Sequence, residues 1–370
     1  MRVGIAWRYF HERSGLPRYC TEVARKLSAT DDVFLFAHRV ETPIPARGFV
    51  KFPFFFQSDR MEYGPNTLLN SLITIRGKRR LGLDIINGQN ATILGPDVIT
   101  AHGTWWRHYE IHARTDPAKA KELRKSLLPQ FEKLNYGRRM YRRIIAPSEL
   151  ACSELEKYYR VPREDVSIVP DGVDTVRFSV DDDRRTRWRG AHGFRDETVL
   201  LHVSTDFLRK GLWTIVKSLP ILPDNVVAVV VGREDPSRYL DVARSLGVSD
   251  RIRFYPFSDS LEDFYNGADI YVFPSFYESF GLSILEAMSC GKPVICGREA
   301  GVVEILEDGR EALVLDRWDD PTELAEKIIS VATPGVASRM GREGRRTAER
   351  YSWDKTVQLT RDAYEQALRR

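Results

Sequence analysis

The chain has 370 residues, 42% hydrophobic and 29% charged, with a formal net charge of +4. That length exceeds one ordinary core and suits two domains of about 150–200 residues each, and the composition is that of a globular protein rather than a disordered or fibrous one. The four cysteines (Cys20, Cys152, Cys290 and Cys296) form no CxxC pair and no Cys/His cluster, which argues against a disulfide framework or structural zinc and for a reducing compartment. Residues Met1–Trp7 lack the apolar core of a leader peptide, and no run of about 18 apolar residues occurs. A cytoplasmic location is therefore expected. The charge is uneven: residues 1–170 hold 28 Lys+Arg against 18 Asp+Glu, and residues 171–370 hold 28 against 34. A basic first half suits a phosphorylated acceptor or an anionic membrane surface, and equally suits ordinary surface variation.

In chain order, short β-rich runs alternate with longer amphipathic stretches, the pattern of parallel sheets covered by helices. The first half offers strands at Arg2–Trp7, Val33–His38, Asp84–Asn87, Val98–His102, Arg143–Pro147 and Val166–Val169. Helices are expected near 17–29, 66–76, 117–142 and 148–160. Within Asn135–Arg143, helical spacing would align Arg139, Arg142 and Arg143 on one face. That face would be either solvated or docked on anionic lipid or a phosphorylated acceptor. A turn at Pro170-Asp-Gly-Val-Asp174 and a charged, solvated stretch Asp181–Arg189 break the pattern.

It then restarts with strands at Thr198–Ser204, Val226–Gly232, Arg251–Tyr255, Asp269–Pro274, Pro293–Cys296 and Ala312–Leu315. Helices follow near 211–219, 236–246, 281–290, 320–332 and 336–350, and a terminal helix runs from Tyr351 to Leu368. No solenoid repeat and no nucleic-acid-binding motif is present, so nucleic acid is not an expected partner.

The most informative string runs from Pro274 to Pro293, through Glu278-Ser-Phe280-Gly281-Leu282 and Glu286. A buried strand ends there and a helix opens near Gly281, which is where open α/β sheets bind ligands. Main-chain amides of Phe280, Gly281 and Leu282 would face an anion at the helix start, and Gly281 removes the side chain that would keep a diphosphate away. Glu278 and Glu286 are spaced to hold hydroxyls on either side of such a diphosphate. Each Glu taken alone could equally solvate a helix face.

A second string, Leu201-His-Val-Ser-Thr205-Asp-Phe-Leu-Arg209-Lys210-Gly211, sets two cations at a strand–helix junction, a clamp for a departing diphosphate. A third, Ser14-Gly15-Leu-Pro17-Arg18, leads into a helix whose first position could be Pro17, or is a simple tight turn. The fourth is His102-Gly103 at the end of a strand, where a lone His is commonly structural.

These strings resemble the retaining glycosyltransferases of the GT-B fold classed as family 4, whose hallmark is E-x-F-G-L-x-x-x-E-A-x-x-x-G-x-P-V. Glu278, Phe280, Gly281, Leu282, Glu286, Ala287, Gly291, Pro293 and Val294 match it. The family's V-G-R-x-x-x-x-K-G is matched only at Lys210-Gly211. Ser204 and Thr205 stand where Gly and Arg are usual, and Arg209 is the candidate replacement cation. The family's G-G-x-x-R is matched at Gly15 and Arg18. The run from Ser204 to Gly211 is similar to the lipopolysaccharide-core glucosyltransferase branch, which uses UDP-glucose.

The resemblance implies an α/β, GT-B architecture of two Rossmann-like doubly wound domains facing each other across a cleft. Residues 1–170 would bind the acceptor, 171–350 the nucleotide sugar, and 351–370 would cross back to the first domain. It assigns catalysis to Glu278, Lys210, Arg209 and His102. Donor binding falls to Gly15, Thr205, Phe280, Gly281, Leu282 and Glu286, and the acceptor side to Arg18.

The implied reaction is retaining transfer of a hexose from a nucleotide-diphosphate sugar, UDP-sugar before GDP-mannose, to a glycan, lipid-linked or other hydroxyl acceptor. No cofactor or metal is required, and peripheral association with the inner face of an anionic membrane fits the basic half. Two other readings share these motifs, a nucleotide-sugar 2-epimerase of the same fold and a non-catalytic nucleotide-sugar-binding protein.

Overall fold

The computed structural model describes residues 1–53 and 64–370. The chain divides into two compact units, Met1–Asp171 with Trp353–Arg370, and Gly172–Ser352. The first contains β1 (Arg2–Ala6), β2 (Tyr9–Phe10), β3 (Asp32–Ala37), β4 (Arg39–Val40), β5 (Gly48–Lys51), β6 (Ile85–Gln89), β7 (Val98–Thr100), β8 (Arg143–Ala146) and β9 (Val166–Ile168). Seven of these form one sheet in the order β5-β3-β1-β6-β7-β8-β9, and β2 pairs with β4 in a small ribbon. Every pairing is parallel.

The second unit holds β10 (Thr198–Ser204), β11 (Val226–Gly232), β12 (Ile252–Pro256), β13 (Ile270–Phe273), β14 (Val294–Gly297) and β15 (Ala312–Leu315). They form a parallel sheet in the order β12-β11-β10-β13-β14-β15. Helices cover both faces, so the central strands are apolar throughout rather than alternating: β11 is buried at all seven positions. In each unit the chain winds to one edge and then returns beside its first strand, β6 next to β1 and β13 next to β10. The loops after these paired strands therefore diverge and leave room for a ligand.

Several elements differ from the sequence expectation. The charged stretch Asp181–Arg189 is a helix, Asp182–His192, begun by the Asp181 side chain accepting from Arg184 N. It is held by tertiary contacts: Arg185 Nη2 and Arg189 Nη1 donate to Asp269 at 2.6 and 3.1 Å. The Trp188 ring lies against Gly267, where an added Cβ would come within 2.0 Å of it.

The single helix expected over 117–142 is broken into Pro117–Leu123, Leu128–Glu132 and a π turn at Lys133–Gly137, with a further helix, Trp105–Thr115, ahead of it. Arg139 takes a left-handed φ of 51° and Arg143 opens β8. Arg139, Arg142 and Arg143 thus share no helix face, and the lipid-docking face read from them does not form. The first helix spans Gly15–Leu27 with Ser14 at its N-cap, so Pro17 is its third residue and not its first.

The helix Pro65–Leu81 is longer than expected and inverted in polarity. It buries Asn66, Thr67, Asn70, Ser71 and Thr74, while Leu68, Leu72 and Ile75 are 52%, 53% and 45% exposed. The terminal helix, Trp353–Leu368, belongs to the first unit. There Asn87 Nδ2 donates to Tyr364 Oη at 2.8 Å and Lys26 pairs with Asp354. Among the described residues, no helix is long and apolar enough to cross a membrane, and all four cysteines are buried free thiols.

Candidate functional site

In the second unit, the loops after β10 and β13 meet where the strand order reverses. Phe276 N donates to Arg209 O at 2.9 Å. Gly211, at φ +78°, lies so close to the other loop that an added Cβ would stand 2.0 Å from Pro274 O. Only glycine combines that backbone angle with that approach. The β13 loop is pinned on its far side as well: Glu278 N donates to Glu299 O at 2.9 Å and Val302 N to Phe280 O at 2.8 Å.

These constraints bring Arg209, Lys210 and Glu278 together. Arg209 Nη1 donates to Glu278 Oε1 at 2.7 Å and to Tyr277 O at 3.0 Å. Its Nε donates to Asp206 Oδ2 at 3.2 Å. Lys210 Nζ contacts the same Glu278 oxygen and sits 5.1 Å over the Phe273 ring. Burial, then the Arg209 guanidinium, pulls the Lys210 ammonium well below the ordinary lysine range, and Asp206 opposes that shift. The adjoining Glu278 carboxylate supplies its counter-charge.

The helix Leu282–Ser289 starts beside this cluster with Gly281 at φ +122° as its N-cap. The N–H groups of Gly281 and Leu282 have no acceptor among the described residues. Unbonded amides at a helix start, next to two cations, have the chemistry of an anion site. Glu286 is buried in the second turn of the helix, its Oε2 accepting from Tyr265 Oη at 2.9 Å. Phe280 is buried in the core, so only its backbone is available to a ligand. Thr205 is exposed at the start of the β10 loop and takes no part in the cluster.

The remaining residues singled out in the sequence lie in the first unit. His102 Nε2 is 2.9 Å from Gln89 Oε1, and His102 N donates to Asn90 Oδ1 at 2.7 Å. An acceptor on Nε2 makes that nitrogen the donor and leaves the lone pair on Nδ1. Burial lowers the His102 pKa to about 3, so the ring is neutral at physiological pH. Gly103 follows at φ +124°. The Tyr19 ring packs edge-on against His102 at 4.7 Å, joining it to the helix that carries Gly15 and Arg18. Arg18 Nε donates to Glu12 O at 2.9 Å.

Sequence reasoning missed Asp206, Tyr265, Gln89 and Asn90. Asp206 sits in the motif that was read, and its position three residues before Arg209 was the available signal. Nothing local marks Tyr265, which comes from a different helix, Leu261–Gly267.

Two parallel doubly wound units, the second with a candidate anion site at its strand reversal, match the GT-B class. A family model described as "Glycosyltransferase Family 4" matches residues 13–177, and one described as "Glycosyl transferases group 1" matches residues 184–347. The chain belongs to the family 4 glycosyltransferases of the GT-B fold.

A D-inositol 3-phosphate glycosyltransferase of Streptomyces bingchenggensis is 32% identical over 244 residues, covering 61% of this chain and 53% of that protein. The chain spans about half the length of the curated relatives it matches. Among solved structures, the lipopolysaccharide-biosynthesis glycosyltransferase WaaG has a TM-score of 0.81 at 19% identity, over 97% of this chain and 98% of its own. Sucrose-phosphate synthase from Thermosynechococcus elongatus has a TM-score of 0.82 at 19% identity, over 99% and 98%. Anabaena HepE in complex with UDP-glucose has 0.77 at 18% identity, over 99% and 98%.

Proposed function

We propose that this chain is a retaining hexosyltransferase. It draws the hexose from a nucleotide-diphosphate sugar, UDP-sugar before GDP-mannose, and passes it to a hydroxyl of a glycan, lipid-linked or other acceptor. The observation that carries this reading is the pair of unbonded amides at Gly281 and Leu282 beside the Arg209–Lys210–Glu278 cluster. The inositol-phosphate glycosyltransferases among the relatives and the UDP-glucose held by HepE support it.

On this reading the diphosphate lies along the N–H groups of Phe280, Gly281 and Leu282, and Lys210 and Arg209 neutralise it. Glu278 exchanges those cations for hydroxyls of the donor sugar, and Glu286 takes the ribose diol. As the bond from the sugar C1 to the diphosphate oxygen breaks, the acceptor oxygen bonds C1 on the same face. The acceptor's proton passes to the departing diphosphate. Charge develops on the leaving group, where preorganised cations and amides act most strongly. That clamp makes a metal unnecessary, so turnover is expected to persist in EDTA. His102, Gly15 and Arg18 keep the roles their motifs imply, toward the donor sugar, the phosphate and the acceptor respectively.

Thermal-shift screening against UDP- and GDP-sugars tests the donor, and NMR of the product's anomeric proton tests retention. A nucleotide-sugar response that survives intact in Glu286→Ala and Lys210→Ala, or a product of inverted configuration, overturns the proposal.

A further inference from the structure

Strand β6 stands at the centre of the seven-stranded sheet, yet two of its five residues are large polar ones and almost fully buried. Asn87 and Gln89 are each 1% exposed, as is Thr100 on the neighbouring β7. Period-two alternation puts Asn87 and Gln89 on one face of β6, with Thr100 opposite Gln89. Burying such groups costs about 1–3 kcal/mol each unless every one is hydrogen-bonded. A central parallel strand filled with Val or Ile carries no such cost, so the placement needs a reason.

These side chains form a line of hydrogen bonds from the terminal helix to His102. Asn87 Nδ2 donates to Tyr364 Oη at 2.8 Å, and Tyr364 is fully buried. Asn87 Oδ1 accepts from Thr100 Oγ1 at 3.1 Å and, over a longer 3.4 Å, from Gln89 Nε2. Gln89 Oε1 then faces His102 Nε2 at 2.9 Å. With its NH2 group turned to Asn87, Gln89 offers His102 an oxygen, which calls for a proton on Nε2. The next residue holds the same histidine by its backbone: Asn90 Oδ1 accepts from His102 N at 2.7 Å, and Asn90 takes a left-handed φ of 50°. His102 Nδ1 has no partner among the described residues, and the residue is half-buried rather than sealed.

We propose that Gln89 is a positioning residue: tied to Tyr364 through Asn87, it fixes His102 as the Nε2–H tautomer and so makes Nδ1 a hydrogen-bond acceptor. The role rests on the transferase reading above, in which His102 meets the donor sugar. His102 then accepts a hydrogen bond from a sugar hydroxyl and has none to give it. A ring protonated on both nitrogens would offer only donors. Burial prevents that by lowering the pKa to about 3. The polar face of β6 is buried because it orients the histidine, and Tyr364 makes the terminal helix part of that support.

Long-range proton–nitrogen correlation spectra of the full chain, isotope-labelled at histidine, read the tautomer directly, with His102→Gln assigning the signal. In the unliganded wild type, Nε2 is expected to carry the proton and Nδ1 the lone pair. Gln89→Met keeps the side-chain length but leaves a buried N–H without an acceptor, so the proton is expected to move to Nδ1. Kinetics use whichever UDP- or GDP-sugar gives the largest melting shift. Its KM should rise about three- to tenfold in Gln89→Met, the effect of one lost hydrogen bond, with kcat little changed. Gln89→Glu restores an acceptor, and should keep the Nε2–H tautomer and recover most of the sugar affinity at alkaline pH. Its carboxylate raises the imidazole pKa, so affinity should fall as pH drops through that raised value, a limb absent from the wild type. A proton on Nδ1 in the wild type, or a tautomer and KM unmoved in Gln89→Met, overturns the proposal. The tautomer is read without any donor, whereas the UDP-induced melting shift reads the diphosphate site without the histidine, so the two readings fail separately.

Discussion

Replacing Lys210 by Met removes the ammonium while keeping the length of a side chain that is 7% exposed. A hydrogen bond to a charged group contributes about 1.5–3 kcal/mol, a factor of about 10–150 in affinity. The unliganded fold should not register the loss. Glu278 keeps its 2.7 Å bond from Arg209 Nη1, so removing Lys210 strands no carboxylate without a counter-charge, the case in which breaking a buried ion pair is costly.

The consequence for the nucleotide response can be worked through. At UDP about 100 times its Kd, ligand binding stabilises the wild type by about 2.7 kcal/mol. A hundredfold weaker Kd leaves about 0.4 kcal/mol at the same concentration. For a unit the size of Gly172–Ser352, the missing stabilisation corresponds to roughly 5–9 °C of melting shift. Differential scanning fluorimetry of both proteins with and without UDP measures it directly. A Met variant that melts like the wild type and still shows the full UDP shift would refute the diphosphate site.

Three further outcomes follow from the same geometry. Gly211→Ala forces a Cβ against Pro274 O at a φ of +78°; a melting temperature within 1 °C of wild type would count against the pinned loops, since strain at such a backbone alone costs about 1–3 kcal/mol. Tyr265→Phe removes the 2.9 Å bond to Glu286, and should raise the KM for the nucleotide sugar several-fold with kcat little changed; an unchanged KM would deny Tyr265 a positioning role.

Burial raises the Glu132 carboxyl from 4.5 to about 8, against the bonds from Tyr159 and Trp105 N. The folded state then holds a proton that the unfolded state releases, so stability falls as pH rises from the unfolded value through about 8. Glu132→Gln should therefore melt progressively higher than wild type across that window, and parallel melting curves from pH 5 to 9 would exclude a protonated Glu132.

The βαβ order and the strand–helix junction that carries the candidate anion site were legible in the chain because both rest on local signals. Strands β10, β11 and β15 begin and end where their apolar runs do. The Glu278–Glu286 string straddles a strand–helix junction that periodicity alone locates. The charged run at Asp181–Arg189 misled for a physical reason: its helix depends on Trp188 packing at Gly267 and on Asp269 gathering two arginines, partners about 80 residues away. The expected helix over 117–142 failed similarly. Asn135 donates through Nδ2 to Ile93 O and accepts through Oδ1 from Gly95 N, and these buried bonds accompany a π turn that no helical periodicity predicts.

The amino-acid order alone determined the alternation of strand and helix, the two-part organisation and the residues at the start of the Leu282 helix. Each depends on side-chain spacing within a few residues. Tertiary structure decided which cation meets Glu278, which hydroxyl holds Glu286, and which face of Pro65–Leu81 turns inward. Those outcomes depend on the approach of segments far apart in the chain, and a buried polar face becomes recognisable only when the elements covering it are in place.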